Sequence, residues 1–118
     1  MKRFFSFFML VVLSACVLGA CTPSVSDVES SFKESGYIVN KLEKYYAVAY
    51  GADDSDVEYV LIAMGDGNSS TVYVFGFKDN QSAKKFYDKN KQKEGANFKV
   101  KRRGRVVALG SEQGVEIL

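Results

Sequence analysis

The chain has 118 residues, 47% hydrophobic and 25% charged, with sixteen Lys and Arg against fourteen Asp and Glu. It carries two Cys, one Pro and neither His nor Trp, which removes the commonest general base and metal ligand and excludes Ser-His-Asp triads and His-based zinc sites. No internal repeat period is present, so a solenoid or propeller is excluded and one small domain is expected.

Lys2 and Arg3 precede an uncharged run over 4–18, rich in Phe, Leu and Val, and then Gly19, Ala20 and Cys21. A basic n-region, an apolar h-region and small residues at a cut form a secretory signal. Even the stretch 4–20 is only 17 residues long, at the bottom of the range needed to cross a hydrocarbon core about 30 Å thick. Leu18-Gly19-Ala20-Cys21 resembles the lipobox of small bacterial lipoproteins. That resemblance implies a diacylglyceryl group on the Cys21 sulfur, cleavage before Cys21, and anchoring to the outer side of the cell membrane or to an outer membrane.

Leu13-Ser14-Ala15-Cys16 fits the same pattern. Cys21 is preferred because it leaves the polar Thr22-Pro23-Ser24 in the mature chain, whereas Cys16 would leave Val17-Leu18-Gly19-Ala20. Two acyl chains on one Cys suffice for stable anchoring. The expected organisation is a signal peptide over 1–20, a lipidated tether over 21–25 and a domain over 26–118. Losing 1–20 removes Lys2, Arg3 and Cys16, so the mature chain is neutral, has one Cys, and must hold together by its core without an internal disulfide.

In chain order, Ser26 with Glu29 has the spacing of a capping box, Val28 and Phe32 share a helical face, and Gly36 is placed to end the helix. Tyr37-Ile38-Val39 reads as a strand. Over 40–51, Leu42, Tyr45, Tyr46 and Ala49 fit helical spacing while Tyr46, Val48 and Tyr50 alternate like a strand; Asn40 paired with Glu43, and Gly51 as a stop, favour helix. The runs 57–64 and 71–77 predict an antiparallel hairpin, with apolar residues on both faces of each strand. Asp79 or Asn80 should cap a helix reaching about Glu94, with Ala83, Phe86, Tyr87 and Asn90 on one face and Gly95 ending it. Phe98 and Val100 alternate with Lys99 and Lys101, Arg103-Gly104 can turn the chain into a strand over 106–109, and Ser111 caps a terminal helical turn.

This order predicts an α+β fold: an antiparallel sheet of about five strands, two or three short helices mostly on one face, and ferredoxin-like (split βαβ) order.

Charge separates along the chain. Residues 27–66 hold nine acids and three lysines, and residues 67–118 hold eleven bases and five acids, or −6 and then +6. Lys84, Lys85, Lys89, Lys91 and Lys93 spread around their helix as a solvated face does. With Lys99, Lys101, Arg102, Arg103 and Arg105 they also compose a surface that could meet anionic headgroups or wall polymers.

Phe77-Lys78-Asp79-Asn80-Gln81-Ser82-Ala83 resembles the strand-to-helix junction of RNA-recognition-motif domains, and Tyr37-Ile38-Val39-Asn40-Lys41-Leu42 resembles their first strand. RNA binding requires exposed stacking rings, and that register sets Val72 and Val74 where the rings belong. The likeness is one of fold geometry, and no nucleic-acid partner is expected.

Asp54, Asp56 and Glu58 space like the start of a calcium loop, but Tyr59 stands where Gly is required and Gly65 where the distal Glu belongs. Gly65-Asp66-Gly67 is turn chemistry. No spacing pairs a nucleophile with a base, and neither a metal nor a cofactor is expected. Of the seven tyrosines, most should edge the core; Tyr59 and Tyr73 with Phe75 would form an interaction surface if one sheet face were free. The expected function is a membrane-anchored, non-enzymatic binding module of the cell envelope, whose partner is an envelope protein or an anionic surface polymer. A small metal-free envelope hydrolase or transferase is the alternative.

Overall fold

The computed structural model describes residues 22–66 and 70–118; Cys16, Cys21 and the rest of the signal segment lie outside the described residues. The elements are helix α1 (Val25–Glu34), strand β1 (Ile38–Leu42), a 3₁₀ segment (Lys44–Tyr50), a 3₁₀ turn (Asp54–Asp56), β2 (Val57–Met64), β3 (Thr71–Phe77), α2 (Asn80–Lys91), β4 (Lys99–Arg103), β5 (Val106–Gly110) and α3 (Glu112–Val115). The five strands form one antiparallel sheet in the order β1-β2-β3-β5-β4. This is the α+β class expected from the sequence.

β3 and β4 both run antiparallel to β5, which lies between them. They are therefore parallel to each other and joined through α2, which makes a split βαβ unit. The unit occurs once. β1 pairs directly with β2, Ile38 opposite Met64 and Leu42 opposite Val60, so the chain between them returns to a neighbouring strand instead of crossing over another.

That pairing explains the outcome in 40–51. Asn40 and Leu42 are held in β1, so the helix expected from Asn40 loses its first turn to the sheet. Seven residues remain before Gly51, whose φ of 95° ends the segment. They wind as a 3₁₀ helix, in which i and i+3 eclipse, and Ala47 and Tyr50 are thereby both set against the sheet.

α1 is capped by Ser24, whose Oγ accepts from Asp27 N at 3.1 Å, ahead of the expected Ser26. Ser24-Val25-Ser26-Asp27 carries the same box spacing, and Asp27 adds a negative charge at the positive helix end. Gly36 follows the helix with a φ of 88°. At α2 the cap is Asp79, accepting from Ser82 N at 2.7 Å.

The helices divide between the two faces of the sheet, where the sequence pattern put most of them on one. α1 and α3 cover Leu61, Ala63, Val72, Val74, Val106 and Ala108 with Val28, Phe32, Val115 and Leu118. α2 and the 3₁₀ segment cover Val60, Phe75, Phe77, Val107 and Leu109 with Ala83, Phe86 and Ala47. Because the central strands are apolar on both faces, each face must be covered; a buried Val, Leu or Phe contributes about 1.5–3 kcal/mol, which an uncovered face would forfeit.

Candidate functional site

The sequence order of charge becomes an arrangement in space. With strands ordered β1-β2-β3-β5-β4, the acidic half builds the β1–β2 side of the sheet and the basic half builds the β5–β4 side. β4 is an edge strand and carries Lys99, Lys101, Arg102 and Arg103. Charged side chains on an edge also block pairing with another chain.

The basic candidates fall into two groups. Those on α2 have local partners: Lys84 pairs with Asp88 at 2.8 Å, Lys89 donates to Gly51 O at 3.1 Å, and Lys85 faces the 3₁₀ turn across a cleft. Lys93 is exposed beyond the helix end, and Lys99 is half-buried on β4.

The second group gathers at the β4–β5 turn. Arg102 donates to Asn80 O at 3.4 Å and Gly104 O at 3.3 Å, Arg103 to Leu118 O at 3.1 Å, Arg105 to Lys78 O at 3.3 Å, and Lys101 to Glu116 O at 3.3 Å. These partners are main-chain oxygens. A guanidinium has five N–H donors, so each keeps further donors to offer outward. Lys78 enters the cluster through its backbone, a neighbour that sequence spacing does not show.

Thr22 is seated on this turn. Its Oγ1 accepts from Arg105 N at 3.2 Å, and a Cβ on Gly104, where φ is 61°, would meet Thr22 Cα at 3.0 Å. Thr22, read from sequence as tether, is thus part of the domain surface, and the residue before it is Cys21. Of the acids nearby, Asp79 is engaged, while Asp27 and Glu34 line the cleft beside Arg103. Accepting the Ser82 N–H holds the Asp79 carboxyl below its ordinary range, with Arg105 adding to the effect, and Asp27 lies in the first turn of α1.

Tyr59, Tyr73 and Phe75 are not brought together. Tyr59 packs under α1, with its ring across Gly76, and burial raises its hydroxyl pKa to about 12. Tyr73 and Phe75 lie on the opposite face, where the Phe86 ring meets Phe75 at 5.0 Å and the Tyr50 ring meets Tyr73 at 5.7 Å. The aromatic surface that a free sheet face would have offered does not form: both faces are covered, because the central strands are apolar on both. Exposed apolar side chains sit elsewhere: Ile38 and Met64, paired across β1 and β2, and Tyr45, Tyr46 and Val48 on the 3₁₀ segment. Ile38 was legible as strand but not as exposed, because exposure follows from its edge position.

Two clefts flank these surfaces. One of 510 Å³ has Phe77 and Phe86 as its apolar wall and Asp53, Asp54, Asp56, Lys85 and Lys89 around it. Ser55 donates twice to Asp53, through its hydroxyl and its main-chain N–H, and holds that carboxyl below its usual range. The other, of 420 Å³, lies between α1 and the chain end, lined by Thr22, Val28, Phe32, Arg103 and Ile117 among others. Among the described residues no group of three His, Cys, Asp or Glu could hold a metal, and no helix is long and apolar enough to cross a membrane. Comparison with protein-family models, curated proteins and solved structures finds no match to the chain.

Proposed function

We propose that the protein is a lipid-anchored extracytoplasmic module, held to the membrane through Cys21, that acts by binding through its basic side. The observation that carries this reading is the basic n-region, apolar run and Leu18-Gly19-Ala20-Cys21 in succession. The seating of Thr22 against Gly104 and Arg105 supports it, since an anchor on the preceding residue would hold the domain at the membrane by a defined surface.

The test is metabolic labelling with a fatty acid followed by membrane fractionation. Wild type should carry label and sediment with membranes, and Cys21→Ser should lose the label and leave the membrane fraction. If Cys21→Ser keeps both while Cys16→Ser loses them, the anchor is Cys16. If neither substitution changes labelling or fractionation, the lipoprotein reading is wrong.

A further inference from the structure

Resting on the lipoprotein reading, we propose that the β4–β5 turn, with Arg102, Arg103, Arg105 and the adjoining Lys78, docks on anionic phospholipid headgroups of the membrane that holds the anchor. This docking sets the orientation of the domain. An anchor alone leaves a domain free to tumble about its attachment; a second contact beside it does not.

Three observations converge. Thr22 follows Cys21 directly in the chain and is bonded to Arg105 N. Acyl chains on Cys21 therefore bring this turn, before any other part of the domain, to the headgroup layer.

The side chains at the turn are also suited to phosphates. Arg103, Arg105 and Lys78 are exposed, the arginines hydrogen-bond to main-chain oxygens, and a guanidinium presents a donor fork that matches phosphate oxygens. Asp27 and Glu34 line the cleft beside Arg103, Glu116 meets Lys101 through its main chain, and the Asp79 carboxylate is turned to the α2 N-terminus. A guanidinium within a Debye length of an anionic surface, about 8 Å at physiological salt, is attracted, and one further away is screened.

Finally, the charge of the domain divides across the sheet. Most acids of 27–66 lie on the elements of the β1–β2 side, while Asp27 and Glu34 line the cleft beside Arg103 and the Asp56 carbonyl oxygen accepts the Lys78 N–H. Seating the β4–β5 turn on a negative membrane leaves the exposed Ile38 and Met64 at the opposite end of the strands. Those apolar side chains then face outward.

The chain contains no Trp, so a single introduced Trp reports alone. Asn80→Trp sets it beside the turn, where only the main-chain oxygen of residue 80 is used by Arg102. Asn97→Trp sets it before β4, at the other end of that strand from the turn. The lipidated mature protein, beginning at Cys21, is reconstituted into brominated phosphatidylcholine vesicles with or without phosphatidylglycerol.

Quenching should be at least about twofold stronger at position 80 than at position 97 when phosphatidylglycerol is present. The difference should vanish without it, and vanish in about 1 M salt, where the Debye length is about 3 Å. Lys78→Gln with Arg105→Gln should lower the ratio of docked to undocked protein about fivefold per side chain, following the worth of one basic residue near an anionic surface. If that double variant folds poorly, the salt series on the unaltered surface tests the same contact.

Equal quenching at the two positions, or a difference indifferent to phosphatidylglycerol, overturns the docking. Protein that floats with both vesicle types without a site difference refutes the docking alone. If the protein purified from membranes carries no acyl group on Cys21, the anchor is refuted as well.

Discussion

Gly76 stands in the middle of β3 with no side chain, and the ring of Tyr59 fills the space above it. An ideal Cβ at Gly76 would fall within the van der Waals envelope of Tyr59 Cε2, Cζ and Cδ2, and Tyr59 is also its neighbour across β2. Gly76→Ala should therefore destabilise the protein although alanine is the better strand residue. Overpacking costs about 1–3 kcal/mol, and relief of the glycine's backbone entropy returns about 0.5–1 kcal/mol. The net, about 1 kcal/mol from the middle of those ranges and about 2.5 kcal/mol at most, corresponds at its middle value to a Tm lower by roughly 4–8 °C for a domain near 100 residues.

The ring is the cause only if its removal cancels the cost, so the decisive assay is a double-mutant cycle read by urea denaturation. Tyr59→Ala alone should destabilise by lost burial. Adding Gly76→Ala to it should be neutral or mildly stabilising, leaving a coupling energy of about 1–3 kcal/mol, the overpacking cost itself. If Gly76→Ala costs the same in both backgrounds, the clash lies elsewhere and the ring is not what excludes a side chain at position 76.

The Tyr59 hydroxyl is buried without a hydrogen-bond partner in the structure, so Tyr59→Phe should be neutral or stabilising, by up to about 1 kcal/mol, since an unpaired buried polar group costs 1–3 kcal/mol. The same side chain has its pKa raised by burial, from 10.0 to about 12. The unfolded chain therefore loses its proton first, and the wild type should lose stability relative to Tyr59→Phe as pH rises from about 10 to 12, with the two variants changing in parallel below that window. Denaturation midpoints of both across pH check this. Asn90 is fully buried and its Nδ2 joins α2 to the 3₁₀ segment, donating to Tyr50 O at 3.1 Å and Phe86 O at 2.9 Å. Asn90→Ala should destabilise by about 1–3 kcal/mol through an unpaired Tyr50 carbonyl and the lost packing, and hydrogen exchange should quicken most between residues 44 and 52.

The elements with strong local signals form where the sequence sets them. The β-branched and aromatic runs 57–64 and 71–77 are strands, Asp79 caps α2, and the face Ala83, Phe86 and Asn90 is buried. The signal was weak where two patterns overlapped in 40–51; strand pairing decided the first three residues, and the shortness of the remainder decided the 3₁₀ form. Of the candidate residues, the arginines at the turn were visible as a basic run. Their grouping with Lys78 and Thr22 was not, because those contacts span 27 and 83 residues of chain.

Composition alone determines that no His can serve this protein, that its net charge of +2 falls on Lys2 and Arg3, and that the remaining charge divides into a negative and then a positive half. These are properties of a list and need no coordinates. What the tertiary structure decided is where that division lies in space. The strand order carries the basic half to one edge of the sheet and closes its last turn on Thr22, so that the arginines of that turn gather beside Thr22. It also decided that Tyr59, Tyr73 and Phe75 are core: a sheet with both faces apolar must be covered on both, and side-chain burial depends on which elements the chain has left to cover it.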